Sequence, residues 1–239
     1  MTHDFLVLSL LFLLPGEVIW CARPDLRPLM RRTALASLPF AVTERLFYPA
    51  YWTPKFLFDL ADHLGFGIED VLFVVGLSSF ACAAYAVVFR RTPVPCGAPR
   101  GAPWRRAAAA IALAIGAAVA LLAAGVPILY AAVAAMLAVS GALLGMRPDL
   151  IAPSLLGAVL SAAIYLVLCL AFAALVPGVF ERTWRPSVLL PGRALLGVPA
   201  DEILYGLGAG LSATVFPAWA FGLRYVRYTS APPAGPPAP

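Results

Sequence analysis

Long apolar runs alternate along this chain with short breaks rich in arginine, proline and glycine. A helix needs about 20 apolar residues to cross a bilayer. Seven runs are candidates, at residues 5–21, 34–48, 68–89, 107–124, 127–144, 154–176 and 201–223. The second is the shortest and carries Glu44-Arg45. Only Gly125-Val126-Pro127 separates the fourth from the fifth, which predicts a tight membrane hairpin. The Pro/Ala/Gly stretch at 231–239 is expected to be disordered.

Composition supports this reading. Hydrophobic residues make up 62% and charged residues 12%, against roughly 25% charged in soluble domains. Mean hydropathy is +0.89. No stretch is long enough for a separate water-soluble domain. The start, Met1-Thr2-His3-Asp4, has no basic n-region, and no small-x-small site follows, so 5–21 is expected to be a retained span. The four cysteines lack metal-ligand spacing and read as core or loop residues, so no metal site is expected.

The net charge of +5 is almost all arginine. A nucleic-acid binder would gather its basic residues on one face. Here they sit in short runs between apolar segments. Arg23, Arg27, Arg31, Arg32, Arg90, Arg91, Arg100, Arg105, Arg106, Arg147, Arg224 and Arg227 follow the odd-numbered spans, whereas Lys55, Arg182, Arg185 and Arg193 lie opposite. The positive-inside bias then places the N-terminus outside and the C-terminus in the cytoplasm, most naturally in the plasma membrane.

An internal repeat underlies the pattern. An offset of 132 residues carries Trp52 to Trp184, Pro54 to Pro186, Gly65 to Gly197, Glu69 to Asp201 and Asp70 to Glu202. It also carries Leu72 to Leu204, Phe73 to Tyr205 and Gly76 to Gly208, without a gap. The offset spans four helices, so both copies point the same way. The expected fold is an all-α membrane protein of about seven transmembrane helices. Two parallel three-helix repeats, residues 1–106 and 127–228, are joined by a linking helix at 107–126 and followed by a tail at 229–239. A pseudo-twofold axis along the membrane normal is implied, as in some transporters.

Each acid pair, Glu69-Asp70 and Asp201-Glu202, falls where a loop becomes a helix. Acids in a first helical turn are ordinary, because the dipole and free N–H groups stabilise them. Their number and depth suggest more. A carboxylate at the bilayer centre costs about 2.5–3.5 kcal/mol, and here four border the apolar core. Gathered in one cavity, such groups do not all ionise, so one can act as acid and a neighbour as base. Trp52, Phe73, Trp184 and Tyr205 lie near the acids in sequence and Trp219 at a helix end; their faces would stabilise a cation, a Trp/Tyr interfacial belt fits Trp52 and Trp184 equally well, and for Trp219 the belt is the better reading. Glu44 is a further candidate as an intramembrane acid, with local pairing to Arg45 or His63 as its bland alternative. Glu17 reads as interfacial. His63 has no counterpart in the repeat. Gly206-Leu-Gly208-Ala-Gly210 and Gly141-x-x-x-Gly145 are read as close-packing glycines.

At these residues the chain resembles the lycopene cyclase domain family, small membrane proteins found as heterodimers or fused repeats. That family carries a Pro-x-Glu-Glu/Asp motif at a helix start in each three-helix domain. Pro199-Ala200-Asp201-Glu202 is similar to it with Asp for the first Glu, and Gly67-Ile68-Glu69-Asp70 with Gly for Pro. The resemblance implies redox-neutral cyclisation of a linear carotene end group without a cofactor. It implies Glu69, Asp70, Asp201 and Glu202 as the acid/base set. Trp52, Phe73, Trp184, Tyr205 and Glu44 would contact substrate. The implied partners are a linear carotene or related isoprenoid, the bilayer and carotenoid-pathway enzymes; nucleic acid is not among them.

Two other classes fit the sequence. A non-catalytic carotenoid- or prenyl-lipid-binding membrane protein would keep the acids as helix caps. A proton-coupled transporter also uses repeats and buried acids. A retinal protein needs a lysine in its bundle, but the sole lysine is Lys55, in a loop beside Pro54. A flavin-dependent cyclase needs a strand–glycine-loop–helix fingerprint that this chain lacks.

Overall fold

The computed structural model describes residues 3–96, 102–190 and 193–228. Arg100 and the tail at 229–239 lie outside them. The protein is an all-α membrane protein with six single helices long and apolar enough to span: α1 (Asp4–Ala22), α5 (Ile68–Val88), α6 (Pro103–Ala123), α7 (Ile128–Met146), α8 (Ile151–Leu175) and α10 (Ala200–Ala220). Shorter elements complete the order: α2 (Arg27–Ser37), α3 (Glu44–Phe47), α4 (Leu60–Leu64), β1 (Arg91–Pro95), α9 (Val179–Thr183), β2 (Ala194–Leu195), β3 (Val198–Pro199) and β4 (Leu223–Arg227).

The segment expected as a seventh helix at 34–48 is jointed. α2, a 3₁₀ stretch (Leu38–Thr43) and α3 follow end to end. Pro39 supplies the physical reason, since it lacks an N–H for the α ladder and its ring clashes with the preceding turn. The 21 residues from Arg27 to Phe47 extend about 35 Å at helical rises. They run from the arginine-rich end of the bundle to the end that holds the acid pairs. Among the described residues, six single helices and this one jointed segment therefore run between the two ends of the bundle.

At the arginine-rich end a short motif occurs twice. Arg23-Pro24-Asp25-Leu26 and Arg147-Pro148-Asp149-Leu150 each make one 3₁₀ turn. Each arginine forks its aspartate, at 2.8 and 2.8 Å in the first copy and 2.7 and 2.7 Å in the second. Arg23 then donates to the Arg91 carbonyl at 2.7 Å, and Arg147 to the Leu223 carbonyl at 2.9 Å. Arg91 and Leu223 stand 132 positions apart, so both forks anchor the same place in each copy.

Two contacts join residues to their own counterparts. β1 and β4 pair antiparallel, with Pro93 opposite Tyr225. At the other end Trp52 and Trp184 form an antiparallel bridge. Thr53 N–H donates to the Thr183 carbonyl at 2.8 Å and Arg185 N–H to the Tyr51 carbonyl at 2.9 Å. A line through these contacts is an approximate twofold relating α1 to α7, the α2–α3 segment to α8, and α5 to α10. Gly65 and Gly197, the turns before α5 and α10, share a left-handed conformation (φ 80° and 85°) that a side chain would strain.

The packing follows this axis but not evenly. α5 lies against α1 and α10 against α7, with Gly76 and Gly208 at the contacts. Gly206 meets Tyr165, and Gly210 meets Ser161, so the glycine run of α10 does serve close packing. Gly141 and Gly145 face open space, which corrects their reading as packing glycines. α8 presses on α10 and also reaches α5 and α1, whereas the jointed segment touches α10 and α7 only lightly. A gap remains on that side, and α6, the most exposed long helix, covers part of it.

Candidate active site

The gap opens at the acid-pair end into a cavity of about 60 Å³. Three carboxylates line it, Glu44, Asp70 and Glu202, together with Trp52, Phe73, Trp184 and Tyr205. Glu69 and Asp201 are not among its walls. Within each pair, the second acid faces the cavity and the first faces the loop. Glu69 accepts the Leu57 N–H at 2.6 Å. Asp201 accepts the Leu190 N–H at 3.2 Å and the hydroxyl of Tyr130. The two loop amides occupy nearly equivalent positions in the repeat, and each first acid pins the loop that carries its tryptophan.

The second acids differ for a reason written in the residue before each helix. Gly67 has an N–H and gives it to Asp70 Oδ2 at 2.7 Å, closing the first turn of α5. Pro199 stands at the matching position and has no N–H to give. Glu202 is thereby released from capping, and its longer side chain reaches inward. It accepts from Tyr51 and Tyr165 hydroxyls at 2.6 Å each and from Trp184 Nε1 at 2.8 Å. The replacement of proline by Gly67 also has a steric cause. A Cβ there would lie 2.5 Å from Glu69 Oε2 and 2.7 Å from Phe56.

Glu44 enters because the jointed segment turns it inward. It is 8% exposed and accepts Trp52 Nε1–H at 2.6 Å, rather than pairing with Arg45 or His63. It lies within electrostatic reach of Asp70. Glu44 Oε2 and Asp70 Oδ1 take no hydrogen bond from the described residues, which leaves both oxygens to the cavity. Ion pairs among the described residues are Arg23–Asp25, Arg147–Asp149 and Arg182–Asp4, so no cation neutralises the cavity acids. The indoles of Trp52 and Trp184 stand 5.0 Å apart, and Phe5 meets Trp52 edge-on at 4.6 Å. Trp219 lies at the far end of α10 with Arg106 over its ring at 4.2 Å, away from the acids.

Sequence reasoning did not single out Tyr51, Tyr165 or Tyr130. Tyr51 is buried and lies outside the spans. Burial and the nearby Glu202 carboxylate push its hydroxyl well above the ordinary tyrosine range, so it remains a donor. The signal for Tyr165 was present: a lone hydroxyl inside an apolar span needs a buried partner. The same mark applied to Tyr130, inside the apolar run 127–144, whereas Tyr51 lies in a loop and has Thr183 rather than a tyrosine 132 residues on.

The chain matches no curated protein and no solved structure significantly. The family model of lycopene cyclase matches residues 127–220, from the start of α7 to the end of α10. That span contains Trp184, Tyr165 and both acids of the second pair, and over it the chain is similar to the lycopene cyclase family.

Proposed function

We propose that this protein is an integral membrane carotene cyclase that closes a ring at the end of a linear polyene by proton transfer. The observation that carries this reading is the convergence of Glu44, Asp70 and Glu202 on one aromatic-walled cavity without a basic side chain. Residues 1–106 and 127–228 act as two copies of one three-helix unit, linked at 107–126, with the site between them. The arginine-rich end lies in the cytoplasm by the positive-inside bias, and the acid end lies toward the outer face of the plasma membrane.

The chemistry follows from the hydrogen bonds. Two carboxyls in one small, buried space share a proton at lower cost than they hold two charges. Glu44 and Asp70 form such a pair, each with an oxygen open to the cavity, and together they supply the acid. A proton passes to the terminal carbon–carbon double bond, leaving a tertiary cation. The next alkene attacks that cation, one carbon–carbon bond forms, and the charge moves into the new six-membered ring. The faces of Trp52, Trp184, Phe73 and Tyr205 stabilise it as it forms. Glu202 receives three donors, Tyr51, Tyr165 and Trp184, and serves as the carboxylate that removes a ring proton. One proton is gained and one lost, so the product is an isomer of the substrate, with a ring of the β type.

Pigment chromatography of a lycopene-accumulating bacterial host tests this reading. Native protein should convert lycopene to monocyclic and bicyclic carotenes, and the Asp70→Asn/Glu202→Gln version should not. Unchanged lycopene with native protein folded in the membrane would reject it.

A further inference from the structure

The acid-lined cavity does not end at Tyr205. Phe40, Val74 and Tyr205 also wall a second cavity of about 160 Å³, deeper in the gap between the jointed segment, α6, α7 and α10. No charged side chain lines it among the described residues. Its serine and threonine hydroxyls already have partners among the described residues, which leaves only the hydroxyl of Tyr205, shared with the acid-lined cavity, without one. Thr33 donates to the Leu29 carbonyl, Ser37 to the Ala34 carbonyl, Ser78 to Ser37, and Ser140 and Ser212 bond each other at 3.0 Å. What remains is an apolar surface with small residues, Ala110, Ala114, Ala209 and Ala213, on two walls. Apart from the Tyr205 hydroxyl at its edge such a space offers a polar ligand nothing, and an apolar cavity of this size takes a hydrocarbon.

We propose that this second cavity holds the hydrocarbon chain next to the reacting end group, and that the rest of the chain leaves into lipid between α2 and α6. The inference rests on the cyclase reading. Continuity points to the occupant, because Phe40, Val74 and Tyr205 wall both cavities and a chain whose end lies among Glu44, Asp70 and Glu202 runs inward past them. Size fixes how much is enclosed. A cavity of about 150 Å³ holds one benzene, so the enclosed part is about one isoprene unit. The exit lies where α2 and α6 wall the cavity from opposite sides without packing extensively on each other among the described residues. Each end of a long polyene is therefore processed in a separate binding event, and the far end is not read.

Two measurements test this, one independent of turnover. In proteoliposomes with lycopene, Ala114→Phe on the outer wall and Ala213→Phe on the inner wall should each lower cyclisation at least tenfold. Leu113→Phe, at a position 59% exposed on the lipid side of α6, should leave it within twofold. In parallel, a linear isoprenoid hydrocarbon with a diazirine two isoprene units from one end is photolysed with the Glu202→Gln protein. Adducts are then mapped by mass spectrometry. Adducts on α6 and α10 near Ala114 and Ala213 support the proposal, whether or not native protein turns lycopene over. If native protein is inactive, the cyclase reading falls and the adducts alone decide the cavity. Adducts elsewhere overturn the inference. So does full activity in Ala114→Phe, the variant whose half-open position best tolerates bulk.

Discussion

Trp52 and Trp184 touch each other across the bundle axis, yet each gives its indole N–H to a different acid, Trp52 to Glu44 and Trp184 to Glu202. The two residues are counterparts in the repeat, but their acceptors are not. The position 132 residues after Glu44 is Val176. A twofold scaffold thus supports one asymmetric site. Deleting a donor to a charged group costs about 1.5–3 kcal/mol. Trp184→Phe keeps the aromatic face and loses only that donor, so cyclisation by the folded protein should fall roughly ten- to hundredfold. An unchanged rate would show that this hydrogen bond does not position Glu202.

The acid pairs divide by position rather than by repeat. Asp70→Asn and Glu202→Gln each remove a group that faces the cavity, and loss of a general acid or base costs about 10²–10⁴ in rate. Glu69→Gln and Asp201→Asn remove groups that hold the Leu57 and Leu190 amides. These two should lower thermal stability while turnover at low temperature stays within about tenfold. Assays of the four variants, paired with melting curves in detergent, separate the roles. A turnover loss in Asp201→Asn equal to that in Glu202→Gln would return both acids to the chemistry.

Gly76 and Gly208 occupy the same place in α5 and α10, and their environments differ. A Cβ on Gly76 would stand 2.7 Å from the Phe12 backbone of α1, whereas one on Gly208 would meet only the tip of Met136 at 3.0 Å. Backbone cannot yield without moving the helix, and overpacking costs about 1–3 kcal/mol. Gly76→Ala should lower the unfolding midpoint, while Gly208→Ala should leave it level or raise it through better helix propensity. Circular-dichroism melts of both variants compare the two contacts directly. Equal destabilisation would mean that α7 is as rigidly placed against α10 as α1 is against α5.

Much of this architecture was legible in the sequence, because apolar runs and a gapless offset report length and duplication. Six spans fell within a few residues of their expected limits, and the pairing of Trp52 with Trp184 expresses the offset that relates them. Other features were hidden for physical reasons. The joint at Leu38–Thr43 follows from Pro39, but one proline also occurs in α1, at Pro15, without a comparable break. Whether Glu69 or Asp70 faces inward depends on which backbone N–H groups are free nearby, and hydropathy does not record that. The repeated Arg-Pro-Asp-Leu turn was in plain view, but its copies are 124 residues apart rather than 132, so a single-offset comparison passes over it.

That turn gives the protein a pH response remote from the cavity. Burial alone would raise the Asp25 carboxyl, but the Arg23 guanidinium and the Thr92 hydroxyl outweigh it and hold the group below the ordinary carboxylate value. A depressed folded value adds stability above the unfolded value of about 3.9. That contribution disappears as pH falls through the lower, folded value. Asp25→Asn should therefore melt below native protein at pH 7, and the difference should close as pH is lowered toward 3. A gap that persists at low pH would assign the effect to lost hydrogen-bond geometry instead of charge.

The joint itself is the feature that sets the chemistry apart from the scaffold. A 3₁₀ helix turns about 120° per residue and an α-helix about 100°. Over the six residues Leu38–Thr43 the difference accumulates to about 120°. Glu44 immediately follows, so the joint decides whether it faces the cavity or the surrounding lipid. Pro39→Ala restores an N–H and removes the ring clash, which favours a continuous α-helix from Arg27 onward. This variant should be at least as stable as native protein and should cyclise far more slowly, because Glu44 is rotated away from Trp52 and Asp70. Melting curves, chromatography and the fluorescence of a protein with Trp52 as its sole tryptophan follow the three consequences. Full activity with raised stability would show that Trp52 and the cavity walls, rather than the joint, hold Glu44 in place.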